Sequence, residues 1–146
     1  MQLSEEQARR RFAEARHAYL ATSDPAAGQP HLVPVTFAVR GDVVVIAVDH
    51  KPKSGARLKR LRNIEANEQV SLLVDEYHED WTRLWWARAD GVAQLRTDEI
   101  AEPVRWLSEK YPPYREQPPP GPVIHIEVHR WSGWAYTAPS AFGGRV

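Results

Sequence analysis

The sequence predicts an α+β domain built on an antiparallel β-barrel of six or seven strands with about three helices. Three observations predict it. Period-two alternation and short apolar runs recur from HAYLATS (17–23) to PVIHIEVHRW (122–131), while helical spacing appears in three places only. The order β-β-β-α-β-β-α-β lacks the regular βαβ alternation of a doubly wound sheet. The chain has 146 residues and 16.7 kDa, the size of one domain, which can bury roughly 70% of its extended-chain surface.

The elements follow in order. Ser4 is placed as a helix N-cap, Gln7 completes a capping box, and Leu3 is positioned for a hydrophobic staple on Ala8. Ala8, Phe12 and Ala15 continue at helical spacing for about three turns. HAYLATS (17–23) reads as a strand and DPAAGQP (24–30) as a turn. HLVPVTFAV (31–39) and VVVIAV (43–48) flank Arg40-Gly41-Asp42 as a tight hairpin, and Pro34 marks the first of them as an edge strand or a bulge. A second helix fits 54–66, capped by Ser54, with Leu58, Leu61 and Ile64 on one stripe.

QVSLLVDEY (69–77) is the next strand, and one long strand or a pair runs from Trp81 to Leu95, with a bulge or turn at Asp90-Gly91. Thr97 is a candidate cap for a third helix to about Lys110, which Pro103 kinks or begins. PPYREQPPPGP (112–122) holds six of the 12 prolines and reads as a stiff extended connection. PVIHIEVHRW closes the sheet, followed by a short strand around Trp134 to Tyr136. No internal repeat divides the chain, so residues 1–146 are expected to form one domain.

Composition removes several chemistries. With no cysteine there are no disulfides, thiolate metal sites, iron–sulfur clusters or cysteine nucleophiles. No apolar run reaches the roughly 20 residues of a membrane span, and the charged N-terminus lacks the apolar core of a signal peptide, so a soluble, cytoplasmic protein is expected. The nucleotide-loop, nucleophile-elbow and zinc-protease motifs are absent. His125 and His129 lie on one strand about 13 Å apart at ~3.3 Å per residue, too far to share a metal, so no metal is expected.

Two features stand out. The net charge is zero, yet residues 51–62 carry six basic side chains and no acid, while 63–80 carry six acids and no Lys or Arg. Lys51 and Lys53 precede Ser54 at the start of the expected helix, where free amides and the helix dipole add to their charge, so loop and helix start suit a phosphate or carboxylate. The alternative is a solvated basic helix face. The second feature is the six tryptophans. Trp85 and Trp86 are adjacent on a strand and face opposite sides, so at most one enters the core and the other covers a ligand slot or a subunit contact. Trp134 is expected in the core.

HLVPVTF, KPK, LKRLRNIEANEQVSLLVDEY and DWTRLWWARADGVAQL together resemble the pyridoxamine-phosphate-oxidase-like split β-barrel proteins. The closest likeness is to the branch of small actinobacterial oxidoreductases that use the deazaflavin coenzyme F420. The resemblance runs from about His17 to Trp134 and is carried by Arg62-Asn63, Val74-Asp75 and Gly91-Val92-Ala93 in order. It implies a split barrel of the FMN-binding type that forms a homodimer with the cofactor pocket between subunits. The basic stretch would hold the anionic tail through Lys51, Lys53, Arg57, Lys59 and Arg60, with Arg62-Asn63 as the family motif. The flat ring would lie against Pro34, Val35 and Thr36, with Trp85 or Trp86 as a wall.

The implied activity is hydride transfer between reduced F420 and a small unsaturated or quinone-like acceptor. Such chemistry belongs to the cofactor ring, so a chain without a catalytic triad or dyad is consistent with it. F420 carries a phosphodiester and a string of glutamates that match six positive charges better than the single phosphate of FMN does. The alternatives are an FMN-dependent enzyme acting on a pyridoxamine-type substrate and a non-catalytic binder of F420, flavin or haem, with His50 or His78 as axial ligand. A nucleic-acid module using the basic helix ranks last, because no aromatic platform is interleaved with that helix.

Overall fold

The computed structural model describes residues 1–48 and 58–137. Helix α1 (Glu5–Glu14) is followed by strands β1 (Ala18–Ser23), β2 (Pro30–Val35), β3 (Ala38–Arg40) and β4 (Val43–Ala47). Helix α2 (Lys59–Ala66) leads to β5 (Gln69–Glu76), a 3-10 turn (Trp81–Arg83) and β6 (Trp85–Arg96). Helices α3 (Ala101–Lys110) and α4 (Pro112–Glu116) precede β7 (Val123–Ala135). All pairings are antiparallel in one seven-stranded sheet of order β2-β1-β5-β6-β7-β4-β3.

That order gives the sheet its shape. β2 and β3 are consecutive in sequence, separated by Thr36 and Phe37 alone, yet they form opposite edges of the sheet. The three steps from Val35 to Ala38 span about 11 Å at most, so the sheet has to curl until its edges nearly meet. The antiparallel α+β barrel is therefore present. HLVPVTFAV, expected as one strand, is divided at Thr36-Phe37 for the same reason, and Pro34 sits on an edge strand, where proline is tolerated.

Several local expectations hold. Ser4 Oγ accepts the Gln7 N–H while the Gln7 side chain accepts the Ser4 N–H, the reciprocal capping box. Arg40 pairs with Val43 across a two-residue turn in which Gly41 has φ +59, a conformation that favours glycine. VVVIAV is apolar without alternation because both its faces are buried. Val44, Ile46 and Val48 point into the barrel, and Val45 and Ala47 lie beneath α3 with Leu107 and Tyr111. Phe12 enters the main core from α1, 4.9 Å from the Phe37 ring and 5.3 Å from Trp131.

Other expectations are corrected. There are four helices among the described residues, because Pro112–Glu116 of the proline-rich stretch is helical. Proline at the first helical positions loses nothing, since those N–H groups have no intrahelical partner, and its fixed φ suits the helix. The third helix begins at Ala101 with Ile100 in the cap position, not at Thr97, and Pro103 falls in its first turn. The second helix begins at Lys59 behind Leu58; Ser54, its expected cap, lies outside the described residues. The irregularity at Asp90/Gly91 is a bulge on the partner strand. Asp90 faces Arg130 and Gly91 faces Val128, leaving His129 as the extra residue. β7 runs unbroken to Ala135, and Trp134 is half-buried on it, whereas Trp131 is 5% exposed.

Candidate functional site

Two regions contain the described candidate residues. The first is the start of α2 against the β1–β2 turn. Lys59 Nζ lies 2.7 Å from Asp24 Oδ2, and Asp24 also accepts the N–H groups of Ala26 and Ala27. The Lys59 bond, then these two amides, hold the Asp24 carboxyl below its ordinary pKa. Leu58 in the N-cap position gives no side-chain bond to the first-turn amides of α2. Arg62 is exposed, whereas Asn63 is 2% exposed and donates from Nδ2 to Thr22 Oγ1 at 3.0 Å. Asn63, expected at the cofactor, thus spends its side chain tying α2 to β1. Arg60 is half-buried on the same helix. Lys51, Lys53 and Arg57 lie outside the described residues, as does His50.

The second region is the outer face of the sheet, and the register shows which residues share it. Cross-strand partners project to one face. One row reads Pro34, Tyr19, Leu73, Arg88, Ser132 and a neighbouring row holds Asp75, Trp86 and Trp134. Leu32 is 67% exposed, Tyr19 39% and Leu73 39%, so large apolar side chains stand open on this face in the single chain among Arg88, Asp75 and Ser132. Within it Asp90 accepts from Ser71 Oγ at 2.6 Å and from Arg88 Nε at 3.2 Å, and the Arg88 guanidinium lies over the Trp86 ring at 5.9 Å.

Adjacent tryptophans do face opposite ways. Trp85 packs on the core with the Arg11 guanidinium of α1 at 5.1 Å from its ring, and Trp86 belongs to the outer face. The expected ring contacts also separate. Pro34 is on the outer face, Val35 is buried in the core, and Thr36 follows at the crossover, half-buried. Pro34 and Trp86 share the outer face but are three strands apart, about 14 Å at the usual strand spacing. Within one chain they do not line one pocket.

The remaining candidates are placed as follows. His125 is half-buried on β7, and burial, then the Arg96 charge, lowers its pKa against the opposing pull of Glu127. His129 is exposed at the bulge, and His78 pairs with Glu76. Among the described residues no group of three or more His, Cys, Asp or Glu is arranged to hold a metal. A groove of about 610 Å³ at the C-terminal end of α2 is lined by Glu65 and Glu68 with Asn67, Gln69 and Gln94. Its carboxylates and its lack of a lysine or arginine are the wrong electrostatics for an anionic cofactor tail. The sequence did not bring forward Asp24, whose meeting with Lys59 is a long-range contact, nor Tyr114, whose hydroxyl meets Thr36 Oγ1 at 2.9 Å.

The donor set fits a flavin-type cofactor in two respects. Leu58 gives the α2 start no side-chain cap and the helix follows a basic run, and the outer face offers aromatic and aliphatic surface beside Arg88. Comparison with known proteins adds the following. The family profile for pyridoxamine 5′-phosphate oxidase matches residues 4–135. An FAD-binding protein from Mesorhizobium loti superposes with a TM-score of 0.71 at 20% identity, covering 91% of this chain and 93% of that one. The FAD binding protein from Mycobacterium smegmatis gives 0.64 at 16% identity, covering 94% and 100%. A conserved hypothetical protein from Mycobacterium tuberculosis gives 0.69 at 18% identity, covering 97% and 95%. At these identities the likeness is one of fold. No curated protein matches the sequence. No helix of the described residues is long and apolar enough to cross a membrane.

Proposed function

Because the chain belongs to the pyridoxamine 5′-phosphate oxidase family, we propose that it is an oxidoreductase using a flavin-type cofactor, with the deazaflavin coenzyme F420 as the first choice. The observation that carries this reading is the run from Lys51 to Arg62, which holds six Lys and Arg and no acid and leads into α2. A run of this kind suits a tail with a phosphodiester and several carboxylates. Lys59 is paired with Asp24 and is left out of the tail contacts, which we assign to Lys51, Lys53, Arg57, Arg60 and Arg62. FMN or FAD is the second reading, favoured by the FAD-binding proteins among the structural neighbours.

The cofactor supplies hydride transfer to a small unsaturated or quinone-like acceptor; the chain binds, orients and shields it. Pro34 and Thr36 would meet the ring and Trp86 would wall it. A homodimer in which the outer faces of two copies meet would close the pocket, a reading supported by the separation of Pro34 and Trp86 within one chain.

Charge reversal separates the tail contacts from the structural pair. Lys53→Glu is expected to weaken F420 binding by about tenfold or more while leaving the melting temperature nearly unchanged. Lys59→Met is expected to change affinity far less, its charge being spent on Asp24. Equal losses at both positions would contradict the assignment of the tail. Turnover of a naphthoquinone probe with reduced F420 tests the reaction class.

A further inference from the structure

Thr36 and Phe37, which carry the chain from one edge of the sheet to the other, are each held by a tyrosine, Phe37 by Tyr111 at the end of α3 and Thr36 by Tyr114 of the proline-rich stretch. Tyr111, 9% exposed, donates its O–H to the Arg16 carbonyl at 2.8 Å and accepts the Phe37 N–H at 3.2 Å. Tyr114 shares a 2.9 Å hydroxyl–hydroxyl bond with Thr36, and the two tyrosine rings meet edge to face at 5.7 Å. The helix bearing Tyr114 is fixed in turn: Arg115 donates to the carbonyls of Ser108 and Glu109 at 2.8 and 2.6 Å. Pro112 and Pro113 restrict its first turn.

The two bonds serve different ends. The Tyr111 bond satisfies a buried backbone N–H, which the fold requires. The Tyr114 bond joins two half-buried hydroxyls that water would serve almost as well, so its net worth to stability is small. What it does accomplish is orientation. When Tyr114 donates to Thr36 Oγ1, the Thr36 side chain is fixed and keeps its own hydroxyl hydrogen to give to a third group. Flavin and deazaflavin rings carry carbonyl oxygens that accept such a bond.

We propose that Tyr114 is a positioning residue that aims the Thr36 hydroxyl as a hydrogen-bond donor to the cofactor ring. The inference rests on the functional reading above, which places the ring beside Thr36. It gives the proline-rich stretch a task, namely to carry a rigid hydroxyl to the joint between the sheet edges.

The test is equilibrium binding of F420 and of FMN, with the visible absorption band of the bound cofactor, to wild type, Tyr114→Phe, Thr36→Val, Thr36→Ser and the Tyr114→Phe/Thr36→Val pair. Tyr114→Phe retains the ring contact with Tyr111 and is expected to weaken binding about fivefold and shift the bound band, with little change in melting temperature. Thr36→Val is expected to do the same, Thr36→Ser to recover most of that loss, and the double variant to be no worse than Thr36→Val alone. Unchanged affinity and spectrum in Tyr114→Phe, or additive losses in the pair, would overturn the inference while leaving the functional reading intact. Failure of the wild type to bind either cofactor would overturn the functional reading itself.

Discussion

Lys110 closes the last turn of α3 with its ammonium against the Phe37 ring, 3.7 Å from the centroid, and donates to the Ala13 carbonyl at 3.3 Å. Burial, and secondarily the nearby Arg16 charge, pull its pKa from 10.5 to about 8, while the aromatic face works the other way. An unfolded chain keeps this proton up to about 10.5, so between pH 8 and 10.5 the unfolded state binds more protons and stability rises with pH. Melting of wild type and Lys110→Met across that window checks this: the rise is expected in the wild type and is expected to be reduced in the variant. Legibility at this scale was uneven. Ser4 and Gln7 were readable because a capping box lies within four residues. The partners of Lys59, Asn63 and Thr36 are 35, 41 and 78 positions away, and no local pattern announces them.

Among the elements, β6 and β7 depend on a close approach at Gly91. A Cβ there would collide with the Glu127 carbonyl oxygen and come within 2.9 Å of Ile126 Cγ2, both belonging to the paired strand beside the His129 bulge. Backbone cannot yield as a flexible side chain does, so Gly91→Ala is expected to cost about 1–3 kcal/mol. Urea unfolding checks this as a lowered midpoint with an unchanged m-value. The Asp90-Gly91 pair was visible as an irregularity, but sequence could not say which strand holds the extra residue, because register is a property of two strands. The proline-rich stretch misled for a different reason. Proline count alone argues against regular structure, yet Tyr111-Pro112-Pro113 has the prolines where a helix begins.

The molecule as a whole is a sheet whose two edges are joined by two residues, and its single chain leaves Leu32, Tyr19 and Leu73 open on the outer face. Alternation and the missing βαβ pattern were enough for the barrel class. The order of the strands was not legible, since it depends on which edges meet after the sheet curls. Leu32, Tyr19 and Leu73, exposed on the face that also carries Trp86 and Trp134, are the contact a homodimer is proposed to cover. Sedimentation is expected to give twice the 16.7 kDa chain mass, and Leu73→Glu, a charge in the middle of that face, is expected to shift the particle to monomer and weaken cofactor binding.

The most direct test of the central claim is a parallel fluorescence titration of the protein with F420, FMN and FAD under one set of conditions. The account predicts micromolar or tighter binding of a flavin-type cofactor, F420 ahead of the other two, weakened by salt as a charge-held tail requires. Binding of none of the three would contradict it and leave the basic run as a solvated helix face on an otherwise unchanged fold.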